Sequence, residues 1–329
     1  MQLIAGEDEA MGYEQELAVA QAAVIAAAQL CEAVRRDMVP EAIEKADKSP
    51  VTVADYGAQA IICRALSEAF PADPVVGEED AAALRSPAMA DRLKQVTGFV
   101  TTVLGSTTPD QVAQWIDHGN GAPARRFWTL DPIDGTKGFL RGDQYAIALA
   151  LIEDGDLKVG VLGCPALSLN QGNPGLLFTA VRGGGTWMQP IAGGEAKQVQ
   201  VVQPGDGDRL RFVESVEASH GNQAEQEAVA AAVGITQSSV RMDSQAKYGA
   251  VAAGEAALYL RLPSPKYPDY REKIWDHAAG AIVVEEAGGR VTDMHGKPLD
   301  FYTAVKMMNN RGVVVSNGTI HNDVMTALK

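Results

Sequence analysis

The chain has 329 residues, enough for two domains, or one large one, with ample volume for a buried core. Its acids outnumber its bases, with a formal net charge of −14 and a pI near 4.8, a sign that repels polyphosphate chains and anionic lipid. Neither a nucleic-acid polymer nor a membrane is therefore expected as a partner. Hydrophobic residues at 46% and charged residues at 21%, with 33 Gly and 16 Pro, fit a packed α/β or α+β enzyme with many turns.

The first ten residues carry Glu7, Asp8 and Glu9 and no base, the wrong charge for a leader, so a soluble, cytoplasmic protein is expected. Residues 14–36 are helix formers with apolar Leu17, Val24, Ile25 and Leu30, and Arg35 and Arg36 suit the helix C-terminus. The apolar stretch 17–30 contains Gln21 and Gln29 and spans 14 residues, which reads as a buried helix and not a membrane span. Residues 49–55 start extended before Pro50 and pass into a helix over about 58–70, placing Asp55 near a helix N-terminus. A short strand then ends in Gly77, Glu78, Glu79 and Asp80.

Residues 81–126 read as a polar connection with one clear helix, in which Thr108, Pro109 and Gln111 form a capping box and Val112, Trp115 and Ile116 share a face. An apolar strand, 127–130, runs into Asp131-Pro132-Ile133-Asp134-Gly135-Thr136, and strands 145–152 and 157–162 form a hairpin. A loop-rich stretch with Gly183 to Gly185, Gly193 and Gly194 leads to Asp206-Gly207-Asp208, the expected boundary between domains 1–205 and 206–329. Beyond it, strands and helices alternate: strands 210–214, at 240, 257–262 and 313–316, and helices 223–233, 246–253, 274–287 and 321–328.

The Asp131 to Thr136 run carries the most chemistry. Two carboxylates three apart at a strand end supply the hard oxygens that Mg²⁺ selects, and the following backbone N–H groups suit phosphate. Glu78 and Glu79 follow another strand, and Asp276 stands at the start of a helix; each alone is an ordinary surface or helix-start acid. Cys31, Cys63 and Cys164 lie far apart, without the spacing of a zinc site or a disulfide framework.

These segments, with Trp128 to Gly142, Asp243-Ser244-Gln245-Ala246-Lys247-Tyr248-Gly249, Tyr259 to Pro263 and Glu272 to Gly280, resemble the inositol monophosphatase superfamily. Within it they look like the 3′(2′),5′-bisphosphate nucleotidases, and Gly138 stands where inositol monophosphatases usually have Asn. The resemblance runs from about residue 14 to 326. It implies a layered αβαβα sandwich: a helix pair and a mainly antiparallel sheet, then a smaller α/β part, with the metal site between them.

By the same resemblance, Glu78, Asp131, Asp134, Asp276 and the carbonyl of Ile133 would bind two or three Mg²⁺ ions. Asp55 and Thr136 would act on the attacking water, assisted by Glu79, while the N–H groups of Gly135 and Thr136 hold phosphoryl oxygens. His220, Asp243, Ser244, Lys247 and Arg261 would surround the nucleotide and its non-scissile 5′-phosphate. The implied reaction is Li⁺-sensitive hydrolysis of adenosine 3′,5′-bisphosphate to AMP, with 3′-phosphoadenylyl sulfate a second substrate and no protein partner. An inositol phosphate phosphatase of the same superfamily and a non-catalytic metal and nucleotide sensor are the alternatives. A dinucleotide-binding oxidoreductase is disfavoured, because no G-x-G-x-x-G follows an early strand.

Overall fold

The computed structural model describes residues 12–37, 43–44, 50–169, 172–203, 205–207, 210–217 and 222–329. Helix α1 (Glu14–Asp37) buries a small-residue side, Ala20, Ala23, Val24, Ala27, Ala28, Leu30, Cys31 and Val34. By length and composition it could cross a bilayer, but its apolar side packs against a helix and a sheet of the same chain. After the short strands β1 (Ile43–Glu44) and β2 (Pro50–Val51) comes α2 (Val53–Ala69), five residues earlier than expected. Its start is set by a capping box: the Thr52 hydroxyl accepts from Ala54 N at 3.1 Å, and Asp55 Oδ2 accepts from Thr52 N at 2.8 Å.

The first sheet is built in chain order. β3 (Val75–Gly77) is followed by α3 (Ala90–Leu104) and α4 (Pro109–Asp117), then β4 (Arg126–Asp134), α5 (Thr136–Arg141), β5 (Ala146–Glu153) and β6 (Asp156–Cys164). The strands β7 (Leu176–Val181), β8 (Gly185–Pro190) and β9 (Lys197–Val199) complete seven, β3 parallel to β4 and the rest antiparallel. Two expectations are corrected here. The polar connection holds a second helix, α3, whose buried face is only Val96, Thr97 and Val100, too sparse to stand out as a period. The loop-rich stretch holds three strands; β8 and β9 lie at a mostly exposed sheet edge, where backbone pairing rather than alternating burial defines them.

The second sheet is mixed, in the order β11-β10-β12-β14-β13. Its elements are β10 (Phe212–Glu214), α6 (Gln223–Ala232), β11 (Val240–Arg241), α7 (Ala246–Ala252), β12 (Leu258–Arg261), α8 (Ala278–Glu286), β13 (Arg290–Thr292), β14 (Val313–Ser316) and α9 (His321–Ala327). The helix expected over 274–287 is divided: a 3₁₀ turn at Ile274–Asp276 precedes α8, and His277 between them leaves helical geometry at φ −139°.

Three hydrophobic cores hold five layers. One lies between α1, α2 and the first sheet, with Val24, Leu30, Ile62, Trp128, Leu149 and Val161. The second fills the space between the two sheets around α7 and α8, with Phe178, Tyr248, Ile282 and Val315. The third joins the outer face of the second sheet to α6 and α9, through Phe212, Val229, Leu260 and Val324. The order is helices, sheet, helices, sheet, helices, the expected αβαβα sandwich. All three cysteines are free and buried.

Candidate active site

β4 delivers the central carboxylates because its ladder slips where Pro132 has no N–H to offer. Asp131 pairs with Ala148 and Asp134 with Ala146, three residues against two. A regular strand would send residues three apart to opposite faces; the bulge turns both acids toward one cavity. Asp131 Oδ1 accepts from Ile133 N at 3.1 Å, and Asp134 Oδ2 accepts from Gln245 N at 2.6 Å. β3 runs parallel beside β4, so Glu78 emerges at the same edge, its N–H donating to Leu130 O at 3.2 Å. Asp276 enters from the second half of the chain on the 3₁₀ turn before α8.

The cavity, about 310 Å³, lies between this edge of the first sheet and the α7 and β12 side of the second. Glu78, Asp131, Ile133, Asp134, Gly135, Thr136, Asp243, Ser244, Lys247, Arg261 and Asp276 all line it. Asp55 stands one layer behind, buried, and reaches the cavity through Thr136, whose hydroxyl lies 3.3 Å from Asp55 Oδ1 and 3.3 Å from Ile133 O. Glu79 is buried outside the lining, its backbone clamped by the Gln59 amide, which accepts from Glu79 N at 3.0 Å and donates to Glu79 O. His220 falls outside the described residues.

The electrostatics of the floor ask for a cation. Burial pushes the Asp131 carboxyl well above the usual range, and Glu78, Asp134, Asp276 and Asp55 push it further. Asp276 is raised in the same way, by burial and then by Glu272, Asp134 and Glu78; burial also raises Asp134, partly offset by Lys247 and the Gln245 N–H. Clustered carboxylates with a neighbouring carbonyl, on one wall of a polar cavity, are the oxygen donor set that a hard divalent cation takes. The residues present fit Mg²⁺.

The opposite wall is cationic. Lys247 is buried and pulled down to about 8 by that burial, against the pull of Asp134; its Nζ donates to Met242 O at 3.3 Å and lies 5.1 Å from the Tyr259 ring centroid. Ser244 has φ +66°, a backbone conformation that costs a non-glycine residue on the order of 1–3 kcal/mol, and it places the Gln245 N–H on Asp134. Asp243 backs onto Gly138, where a Cβ would come within 2.8 Å of Asp243 Oδ2. Its carboxylate takes Arg141 from α5, and Arg141 also holds Glu217 at 2.7 Å. Gly135, at φ +87°, turns the chain from β4 into α5 in the left-handed region that glycine enters without strain.

A model of the inositol monophosphatase family matches residues 13–329. The chain belongs to that family. Among curated relatives, a 3′(2′),5′-bisphosphate nucleotidase of Emericella nidulans is 42% identical, with 97% of this chain and 99% of that protein covered. One of Schizosaccharomyces pombe is also 42% identical, with 96% of each covered. The fold agrees with solved structures of far lower identity. The extragenic suppressor protein suhB of Bartonella henselae gives a TM-score of 0.65 at 22% identity, covering 96% and 99% of the two chains. An IMPase of Thermotoga maritima gives 0.64 at 21%, covering 95% and 96%.

In this inositol monophosphatase-family site, several functional neighbours had no sequence signal of their own. Glu272, His277 and Tyr248 all line the cavity and are hydrogen-bonded to one another or to Arg261. Burial alone would raise Glu272, but Arg261 and His277 overcome it and bring its carboxyl down to about 2. Gln245 is the other: its side-chain amide bonds Trp275 O at 2.9 Å and Gly280 N at 3.0 Å, while its own N–H holds Asp134. Glu272, His277, Tyr248 and Gln245 stand inside the motif segments that carry the family resemblance, but only the fold shows what they touch.

Proposed function

We propose that this chain hydrolyses the 3′-phosphate of adenosine 3′,5′-bisphosphate to AMP and phosphate in a Mg²⁺-dependent reaction, with 3′-phosphoadenylyl sulfate a second substrate. The observation that carries the reading is one cavity lined by both an acid cluster, Glu78, Asp131, Asp134 and Asp276, and two cations, Lys247 and Arg261. The relatives named as bisphosphate nucleotidases support the nucleotide over other phosphate monoesters.

Glu78, Asp131, Asp134, Asp276 and the Ile133 carbonyl would hold two or three Mg²⁺ ions. Bound there, Mg²⁺ supplies the positive charge that makes a water more acidic, offsets the phosphate charge and stabilises the departing alkoxide. The chain's own part begins at Thr136. Its hydroxyl donates to Asp55 Oδ1 and offers a lone pair to the attacking water, so the proton leaving the water is drawn toward Asp55. The N–H groups of Gly135 and Thr136 hold the phosphoryl oxygens, and Lys247 and Arg261 neutralise the non-scissile phosphate. Glu79, held through its backbone by Gln59, assists from outside the lining.

The test is phosphate release from adenosine 3′,5′-bisphosphate with Mg²⁺, with and without Li⁺, beside inositol 1,4-bisphosphate and inositol 1-phosphate. Li⁺-sensitive turnover of the nucleotide, abolished in Asp134→Asn, is the expected result. Turnover of only the inositol substrates would keep the acid floor and overturn the roles of Lys247 and Arg261. Nucleotide binding without any turnover would make the chain a sensor.

A further inference from the structure

A single chain of hydrogen bonds runs along the cationic wall. Tyr248 OH lies 2.7 Å from His277 Nδ1, His277 Nε2 lies 3.2 Å from Glu272 Oε2, and Arg261 Nε donates to Glu272 Oε1 at 3.1 Å. One assignment of protons satisfies every group: the tyrosine hydroxyl donates to Nδ1, so Nε2 carries the hydrogen and donates to the carboxylate. Tyr248 and His277 are almost wholly buried, and Tyr248 is packed edge-on against Tyr259 with ring centroids 5.4 Å apart. Glu272 thus spends one oxygen on each neighbour.

We infer that Glu272 and His277 are positioning residues that aim Arg261 at the second phosphate of the substrate and so set the preference for a bisphosphate. The inference rests on the reading of Arg261 as a ligand of the non-scissile phosphate. An arginine held only by its stem would sample many rotamers and lose entropy on binding. Tying Nε to a carboxylate that is itself fixed from behind removes that loss and leaves the two NH₂ groups, the fork that matches an oxyanion. The relay also explains why a carboxylate lines a cavity that must accept phosphate: Glu272 is turned to Arg261 and His277 by both of its oxygens.

The experiment compares the Mg²⁺-loaded enzyme on adenosine 3′,5′-bisphosphate and on adenosine 3′-monophosphate, which lacks the second phosphate. Glu272→Ala is expected to raise KM for the bisphosphate about tenfold more than KM for the monophosphate, whatever change common to both substrates follows from the loss of its charge beside Asp276. Glu272→Gln, which still offers Arg261 an acceptor, recovers most of the loss. In Arg261→Ala, adding Glu272→Ala does not raise the bisphosphate KM further. If Glu272→Ala does not fold, His277→Asn, which frees one oxygen of Glu272, is expected to raise the bisphosphate KM by about threefold alone. An equal rise in KM on both substrates, or a further rise in the bisphosphate KM when Glu272→Ala is added to Arg261→Ala, would overturn the relay, because Glu272 would then be acting only on the acid floor. If wild-type protein turns over no bisphosphate, the phosphatase reading fails and calorimetric binding of AMP judges the relay separately. A Kd about tenfold weaker in Glu272→Ala, with adenosine unaffected, supports it; an unchanged Kd, or no AMP binding by wild type, overturns it.

Discussion

Asp55 carries two duties on two oxygens. Oδ2 takes the Thr52 N–H and hydroxyl, at 2.8 and 2.6 Å, and closes the first turn of α2, while Oδ1 faces Thr136. The sequence places Asp55 near a helix start and the family resemblance ties it to Thr136, but the division of labour needs coordinates. It makes a test that separates structure from chemistry. Thr136→Val is expected to lower kcat by about 10²- to 10⁴-fold with little change in melting temperature, since it removes the proton path and leaves the cap. Thr52→Ala is expected to cost about 1 kcal/mol of stability, read by denaturant unfolding, because it removes the cap's side-chain acceptor. Equal melting temperatures for Thr52→Ala and wild type would show that the cap contributes nothing.

Elements with strong local chemistry were legible, and those defined by pairing were not. The capping box at Thr108 and Gln111, the β5–β6 hairpin and the alternating pattern after residue 210 stand where the sequence puts them. α3, β8 and β9 commit little apolar surface and leave no period to read. β7 is an apolar, largely buried run, Leu176 to Val181, that stands out only once its pairing with β6 separates it from the glycine-rich turns around it. β4 is longer than its apolar run suggests, since pairing with β5 carries it through Asp131 to Asp134. His321, at the start of α9, is buried between Thr292 and Ser316, with Nε2 2.9 Å and Nδ1 2.8 Å from their hydroxyls, and burial pulls it down to about 4. Unfolded, it titrates near 6.5, so the unfolded state binds the extra proton first and this contribution to stability is present above pH 6.5 and lost as pH falls toward 4. The melting temperature is expected to drop over that window, and less so in His321→Gln. Parallel pH profiles for the two proteins would count against this assignment.

At the scale of the whole molecule, three apolar cores force acids from β3, β4 and the turn before α8 into one cavity. Buried carboxylates raised above their ordinary values hold protons that the unfolded chain has released. Metal-free protein should therefore lose stability from this cluster as pH rises above the ordinary carboxylate range. Mg²⁺ is expected to raise the melting temperature most near pH 8 and progressively less toward pH 5, where protons compete for the same oxygens. A Mg²⁺ increment independent of pH, or none in wild type, would remove these acids as the binding site; Asp134→Asn should shrink it.

Residue types with their local spacing already name the chemistry: acids at strand ends, Gly135 and Thr136 after them, capped helix starts, and a run of motifs that specifies the family. Local rules reach that far because capping, turns and motif spacing act within a few residues. Which acids converge, why Pro132 turns Asp131 and Asp134 the same way, and how Arg261 comes to be held by a Glu272 that His277 holds in turn depend on contacts between segments far apart in the chain. Like charges separate unless something else pays the cost. Here it is the burial of the apolar layers, a sum over the whole chain that no single segment displays.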